Sequence, residues 1–158
     1  MTQEQIKDMR ARVKHLHRFL RIDERAAKME SDKQLTLSAG FWDDNVRATG
    51  ILKEIKVNKF WIDLYEKING AVEDFAVLFD FWKEGEAEEE EVRAAYEAAV
   101  NDIEDGEFRS TLNEPEDEMP AVMVINSGAG GTESQDWAEM LLRMYRMYGE
   151  KQGWKVSE

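Results

Sequence analysis

The sequence predicts a mainly α protein: a three-helix antiparallel bundle or coiled-coil domain, followed by the start of an α/β domain (strand, glycine turn, helix, strand). Three observations predict it. Apolar residues recur at alternating spacings of three and four in several stretches of residues 1–112. A stretch at 113–120 holding both prolines and four acids then breaks the pattern. Beyond it, residues 121–158 read as an apolar run, a glycine-rich turn, an amphipathic helix and a short alternating segment. These boundaries divide the chain into a helical domain (1–112), an acidic linker (113–120) and an incomplete opening βαβ part of a second domain (121–158).

The first helix carries the seam Ile6, Met9, Val13, Leu16 and Leu20. Asp23 interrupts the seam at its next position, yet Ala26, Ala27 and Met29 extend the helical reading to about residue 33. His15 and His17 point to different sides of such a helix, and their spacing is not that of a two-histidine metal site. Both read as surface residues. Ser38-Ala39-Gly40 is a turn signal, and Asp43 and Asp44 read as N-cap and first-turn acids of a long second helix. Its seam is Trp61, Leu64, Ile68, Ala71, Phe75, Leu78 and Trp82, preceded by Val46, Ile51, Leu52 and Ile55. Gly70 is its weak point, because Gly costs about 1 kcal/mol against Ala inside a helix. Gly85 ends it. Four glutamates, Glu88 to Glu91, open a third helix with the seam Val92, Tyr96, Ala99 and Ile103, and Asp105-Gly106 reads as its terminating turn.

After the linker, Ala121 to Ile125 reads as a buried strand and Asn126 to Gly131 as a glycine turn. Thr132 or Ser134 is the expected cap of the helix that follows. That helix places Trp137, Met140, Leu141, Met144, Tyr145 and Tyr148 on one face, with Gly149 or Gly153 as its end. Residues 154–158 alternate like a second strand. A βαβ piece of this size closes no core alone, and an unpaired strand edge invites association, so the oligomeric state stays open.

Composition narrows the function. Hydrophobic residues make up 42% of the chain and charged ones 35%, which is globular and not disordered. With no cysteine, a disulfide framework, a thiolate metal site and a cysteine nucleophile are excluded. No apolar run reaches the length of about 18 residues that a spanning helix needs. The first residues lack an apolar signal core, and a cytoplasmic location is expected. The net charge of −13 is uneven: residues 1–83 hold 15 basic and 14 acidic groups, residues 84–120 hold 2 and 15. The chain as a whole therefore does not look like a non-specific nucleic-acid binder, which needs cations against phosphates.

The glycine turn is the one motif that invites a chemical reading. A phosphate cradle sets backbone N–H groups at a helix N-terminus around an anion. Here no lysine follows the glycines, Glu133 sits where an anion would be repelled, and neither nucleotide-loop pattern is met. A tight turn with positive φ and close packing is the favoured reading over a phosphate-binding enzyme. The carboxylates show no recognisable spacing to a His or Lys, and Glu88 to Glu91 splay around a helix and make a poor cation cage. No metal, cofactor or catalytic residue is expected.

The stretch INSGAGGTESQDWAEMLLRMYRMYGEKQGWKV, residues 125–156, resembles the opening of the second domain of bacterial peptide chain release factors. Gly128, Gly130, Gly131, Thr132 and Glu133 match the family's first pattern, Gln135, Asp136, Trp137 and Ala138 its second, and Leu142, Arg143, Met144 and Tyr145 its helix. Ser134 stands where Ala is usual. Phe41-Trp-Asp-Asp44 resembles the segment leading into the family's long helix, so the resemblance covers essentially the whole chain. The Gln-Asp-Trp form resembles the branch that reads UGA and UAA.

The resemblance implies a translation termination factor, not an enzyme in its own right, that enters the ribosome and promotes peptidyl-tRNA hydrolysis. It implies the mRNA stop codon, ribosomal RNA and peptidyl-tRNA as partners of the full-length factor. For the helical domain it implies the ribosomal stalk base and the GTPase that recycles release factors. No membrane partner and no cofactor are implied. The family's codon-reading Ser-Pro-Phe and hydrolysis-promoting Gly-Gly-Gln do not occur in these 158 residues, where Gly130-Gly131 is followed by Thr132. An N-terminal portion of such a factor is therefore expected, and the signature residues Gly128 to Trp137 are expected to be structural. The alternative is a stand-alone helical protein-interaction module, a truncated paralogue.

Overall fold

A computed structural model describes residues 2–112, 117 and 119–157. Five α-helices and one short 3-10 turn form among them: α1 (Gln3–Phe19), α2 (Ile22–Thr36), the 3-10 turn Phe41–Asp43, α3 (Asn45–Glu84), α4 (Glu89–Thr111) and α5 (Thr132–Lys151). The chain divides into two compact units, Met1–Asp117 and Glu118–Glu158.

The first unit is the expected helical bundle, with two corrections. α1 begins on a capping box: the Thr2 hydroxyl accepts from the Gln5 N–H and the Gln5 side chain accepts from the Thr2 N–H. Its stripe Ile6, Met9, Val13, Leu16 and Leu20 is buried as the spacing requires. The helix does not run on to residue 33. It stops at Leu20, Arg21 takes a left-handed conformation (φ 52, ψ 48), and α2 starts at Ile22. The reason lies at the seam's next position. A straight helix would carry Asp23 into the core, whereas the break buries Ile22 and leaves the Asp23 side chain 90% exposed. The Arg25 guanidinium closes the junction by donating to the Leu20 carbonyl, one of the orphan acceptors at the end of α1. The bundle thus has four helices where three were expected, with α1 and α2 together replacing the first.

α3 is the spine. Asp44 caps it, its Oδ1 accepting from the N–H groups of Val46 and Arg47 at 3.1 and 3.0 Å. It passes through Gly70 without a break. At its far end Gly85 (φ 82) donates to Trp82 O and Glu86 to Phe81 O, the paired bonds of a glycine C-cap. Along its first part α3 meets α2, where Arg25 bonds Asn58 and Lys28 pairs with Glu54. Along its second part it meets α1 and α4. With neighbours on more than one side it buries more than a single seam. Ile62, Val72, Ala76 and Phe79 join Trp61, Ile68 and Phe75 in the core, while Leu64, Ala71, Leu78 and Trp82 are only partly buried.

α4 corrects a second expectation. Asp105-Gly106 does not end the helix, which continues to Thr111. Gly106 faces Ile68 of α3 and Leu16 of α1 so closely that a Cβ there would overlap the Ile68 Cδ1. The glycine serves close helix approach and not chain reversal. The buried row accordingly extends from Val92, Ala99 and Ile103 to Gly106 and Ser110. Asp32 is a buried carboxylate that no seam anticipated: its Oδ1 accepts from Lys28 Nζ at 2.7 Å and its Oδ2 has no partner among the described residues.

The second unit corrects the α/β expectation. Residues 121–125 and 154–157 form no strand, and none forms among the described residues. A strand exists only as half of a ladder, and neither segment has a partner. Val122 and Val124 are 93% and 75% exposed where burial was expected. The linker expectation falls largely outside the described residues, as do Asn113 to Glu116, Glu118 and, in the last segment, Glu158.

Candidate functional site

The turn into α5 is where the signature residues stand. Gly128 occupies the left-handed region (φ 65), which costs a Cβ-bearing residue about 1–2 kcal/mol. Gly130 is required sterically: a Cβ there would lie 2.5 Å from Ser134 Oγ and 2.6 Å from Ser134 Cβ. Gly131 is the N-cap, and its carbonyl accepts from the Ser134 N–H at 3.0 Å, the Ser134 hydroxyl at 2.7 Å and the Gln135 N–H at 3.4 Å.

The expected cap by Thr132 or Ser134 is therefore corrected. No side chain accepts from the first N–H groups of α5; the Ser134 hydroxyl points back and donates. Ser134 lies inside the first turn, where its hydroxyl reaches the carbonyl three residues before it but not the N–H groups ahead. The structure brings Gly130, Gly131 and Ser134 together. Thr132, Glu133, Gln135, Asp136 and Trp137 are exposed around the first turns, Trp137 by 61%.

Further along α5, Trp137, Met140, Met144 and Tyr148 are all exposed, and Gly149 is its one buried residue. Gly149 does not end the helix. Its missing side chain admits Val156 and Trp154, and the end is made by Gly153 (φ 76), with Gly153 and Trp154 N–H donating to Glu150 O and Gly149 O. Trp154 then stands edge-on to Tyr148, ring centroids 5.8 Å apart.

The first unit offers interhelical ion pairs and shallow grooves. Arg12 of α1 clasps Glu107 of α4 with two bonds of 2.9 and 2.6 Å, and Arg10 clasps Glu73 of α3 with 2.9 and 2.5 Å. Hydrogen bonding to Arg12 holds the Glu107 carboxyl below the usual carboxylate range, and Arg10 does the same to Glu73. Burial pulls the Arg25 guanidinium down, where it sits 5.8 Å over the Trp61 ring. His15 is exposed as expected; His17 is half-buried, edge-on to Tyr65 at 4.9 Å. An open groove beside it is lined by Arg10, Lys14, His17, Tyr65, Asn69 and Glu73. Among the described residues no three His, Asp or Glu side chains converge as a metal site would require, and no helix is long and apolar enough to cross a membrane.

These features define a helical-bundle protein carrying a second unit whose helix opens on a glycine turn. Residues 22–158 match the family model described as PCRF domain. A peptide chain release factor 2 of Exiguobacterium sp. (strain ATCC BAA-1283 / AT1b) is 35% identical over 156 residues, covering 97% of this chain and 42% of its own length. The release factor 2 of Nautilia profundicola is 32% identical over 98% of this chain, and that of Staphylococcus haemolyticus 30% over 96%, again with 42% of each relative covered. The chain belongs to the PCRF-domain family of peptide chain release factors. It spans less than half the length of the relatives it matches.

Proposed function

We propose that this chain is the amino-terminal portion of a factor that terminates translation on the ribosome. The observation that carries the reading is the family match over residues 22–158, together with identity of 35% to a release factor 2 across nearly the whole chain. In the full-length factor the partners are the ribosome, an mRNA stop codon (UGA or UAA), ribosomal RNA and peptidyl-tRNA, in the cytoplasm. The helical unit faces the stalk base and the recycling GTPase. Residues 121–158 open the codon-recognition domain. Gly128, Gly130 and Gly131 shape its first turn, and Thr132, Glu133, Gln135, Asp136 and Trp137 start its first helix. Chemistry and codon reading belong to other parts of the factor. The helical unit positions and docks.

A chimera tests this. The 158 residues replace the matching part of the Exiguobacterium release factor 2, and peptide release is measured on ribosomes programmed with UGA, UAA or UAG. Release at UGA and UAA but not at UAG is expected. A folded chimera that binds ribosomes and releases nothing at UGA overturns the reading.

A further inference from the structure

The net charge of the chain conceals a segregated row of cations. Between Gln3 and Arg21 the sequence has six Lys or Arg and only two acids. In α1, Lys7, Arg10, Lys14 and Arg18 follow one another at steps of three and four, so they share one side of the helix, and Arg21 follows at the left-handed junction beyond it. That side is not the buried stripe, and Glu4, three positions before Lys7, borders it at the start of the helix. Arg10 is paired with Glu73 and Arg21 lies 3.7 Å from Glu24. Lys7, Lys14 and Arg18 are exposed, and no carboxylate among the described residues lies within ion-pair distance of any of them. Elsewhere in the bundle Arg12, Lys28, Lys59, Lys67, Lys83, Arg93 and Arg109 are ion-paired, and the exposed Lys33, Arg47 and Lys56 form no such row: one is on α2, and the other two are nine residues apart on α3, on opposite sides of the helix.

We propose that this side of α1 is an RNA-backbone docking face, with Lys7, Lys14 and Arg18 as its phosphate-binding cations and Arg10 at its margin. A phosphate backbone is a closely spaced line of charges, and each cation that neutralises one releases a counterion. Lys7 to Arg18 spans about 16 Å at 1.5 Å per residue, a straight track for several phosphates. The groove beside the row, lined by Arg10, Lys14, His17, Tyr65, Asn69 and Glu73, adds hydrogen-bonding groups next to the charge, the Asn69 amide among them. A lipid surface fits less well, because an interfacial helix needs an apolar face to insert and that of α1 is spent on the core. The choice of RNA over other polyanions rests on the ribosomal reading above.

The test is fluorescence anisotropy of the whole 158-residue chain with a labelled RNA hairpin of about 20 base pairs, across a salt series starting near 50 mM. Binding is expected, with log affinity falling against log salt at a slope of about −2 to −3 for three phosphate neutralisations. The triple variant K7E/K14E/R18E is expected to lose at least about tenfold in affinity and most of that slope. Its circular dichroism and Tm should match the parent. The variant K33E/R47E/K56E carries the same change in net charge on α2 and α3 and is expected to bind much more tightly than the first. Three results would overturn the face: no hairpin binding at the lowest salt, equal loss in both variants, or equally tight binding to polyglutamate or anionic vesicles. Hairpin binding with an inactive chimera points against the release factor reading, whereas an active chimera with no hairpin binding removes the docking face alone.

Discussion

Gly106 of α4 and Ile68 of α3 are packed so tightly that the glycine's missing side chain is the space the Ile68 Cδ1 methyl occupies. Leu16 of α1 closes the same spot, so three helices converge on one residue without a side chain. An exposed Gly→Ala change inside a helix gains about 1 kcal/mol. Here overpacking reverses the sign, and Gly106→Ala is expected to destabilise by about 1–3 kcal/mol. Urea unfolding followed by helical ellipticity measures it, and Ile68→Val in the same chain should recover part of the loss. A stabilised Gly106→Ala protein would show that α3 and α4 do not approach as described.

The Arg12–Glu107 clasp makes stability depend on acid. The folded Glu107 carboxyl sits below its unfolded value because Arg12 hydrogen-bonds it. Its contribution is fully present above the unfolded value and is lost as pH falls through the folded one. The pair is part-exposed, so the contribution is about 1 kcal/mol or less. Glu107→Gln is expected to flatten the Tm profile between neutral pH and pH about 3 relative to the parent. An unchanged acid limb would contradict the clasp.

Arg21 is the one non-glycine residue with positive φ among those described. Arg21→Val puts a β-branched side chain in the left-handed region and is expected to cost about 1–2 kcal/mol. Arg21→Gly, which relieves the conformation but loosens the unfolded chain, is expected to be close to neutral. Paired thermal melts decide it. Equal melting of the two variants would mean that no left-handed junction separates α1 from α2.

Gly130→Ala drives a methyl into the Ser134 side chain. Faster amide exchange over the first turn of α5 is expected, with a local cost of about 1–3 kcal/mol. Ser134→Ala keeps the Cβ and should not rescue; Ser134→Gly should. The residue type at 134 thus matters through its Cβ, while the hydroxyl adds a bond to Gly131 O.

Lys28 is the donor to the buried Asp32 carboxylate. Lys28→Met is expected to lower Tm by leaving that charge unpaired, and Asp32→Leu in the same chain should restore it, because a buried ion pair replaced by apolar residues is often neutral or better. If Lys28→Met melts like the parent, Asp32 is not buried in the way described.

Local chemistry wrote part of this protein into its sequence. The α1 seam, the Gly85 stop and, to within one residue, the aspartate cap of α3 are legible because each depends on residues within a few positions of one another; the cap is Asp44, and Asp43 lies in the 3-10 turn before it. The signature from Gly128 to Trp137 is legible as a pattern for the same reason. Other features depend on neighbours distant in the chain. Asp105-Gly106 reads as a turn until Ile68 and Leu16 require a residue without a Cβ in an unbroken helix. The break at Arg21 follows from the cost of burying Asp23 at the next seam position. The apolar run at 121–125 carries strand propensity but makes no strand, since a ladder needs a second strand beside it. The cations of α1 vanish in a net charge of −13, because a sum over residues records neither which helix face a charge occupies nor which carboxylate reaches it. Periodicity set which residues face inward; packing between helices set where they break, where they touch and which charges stay unpaired.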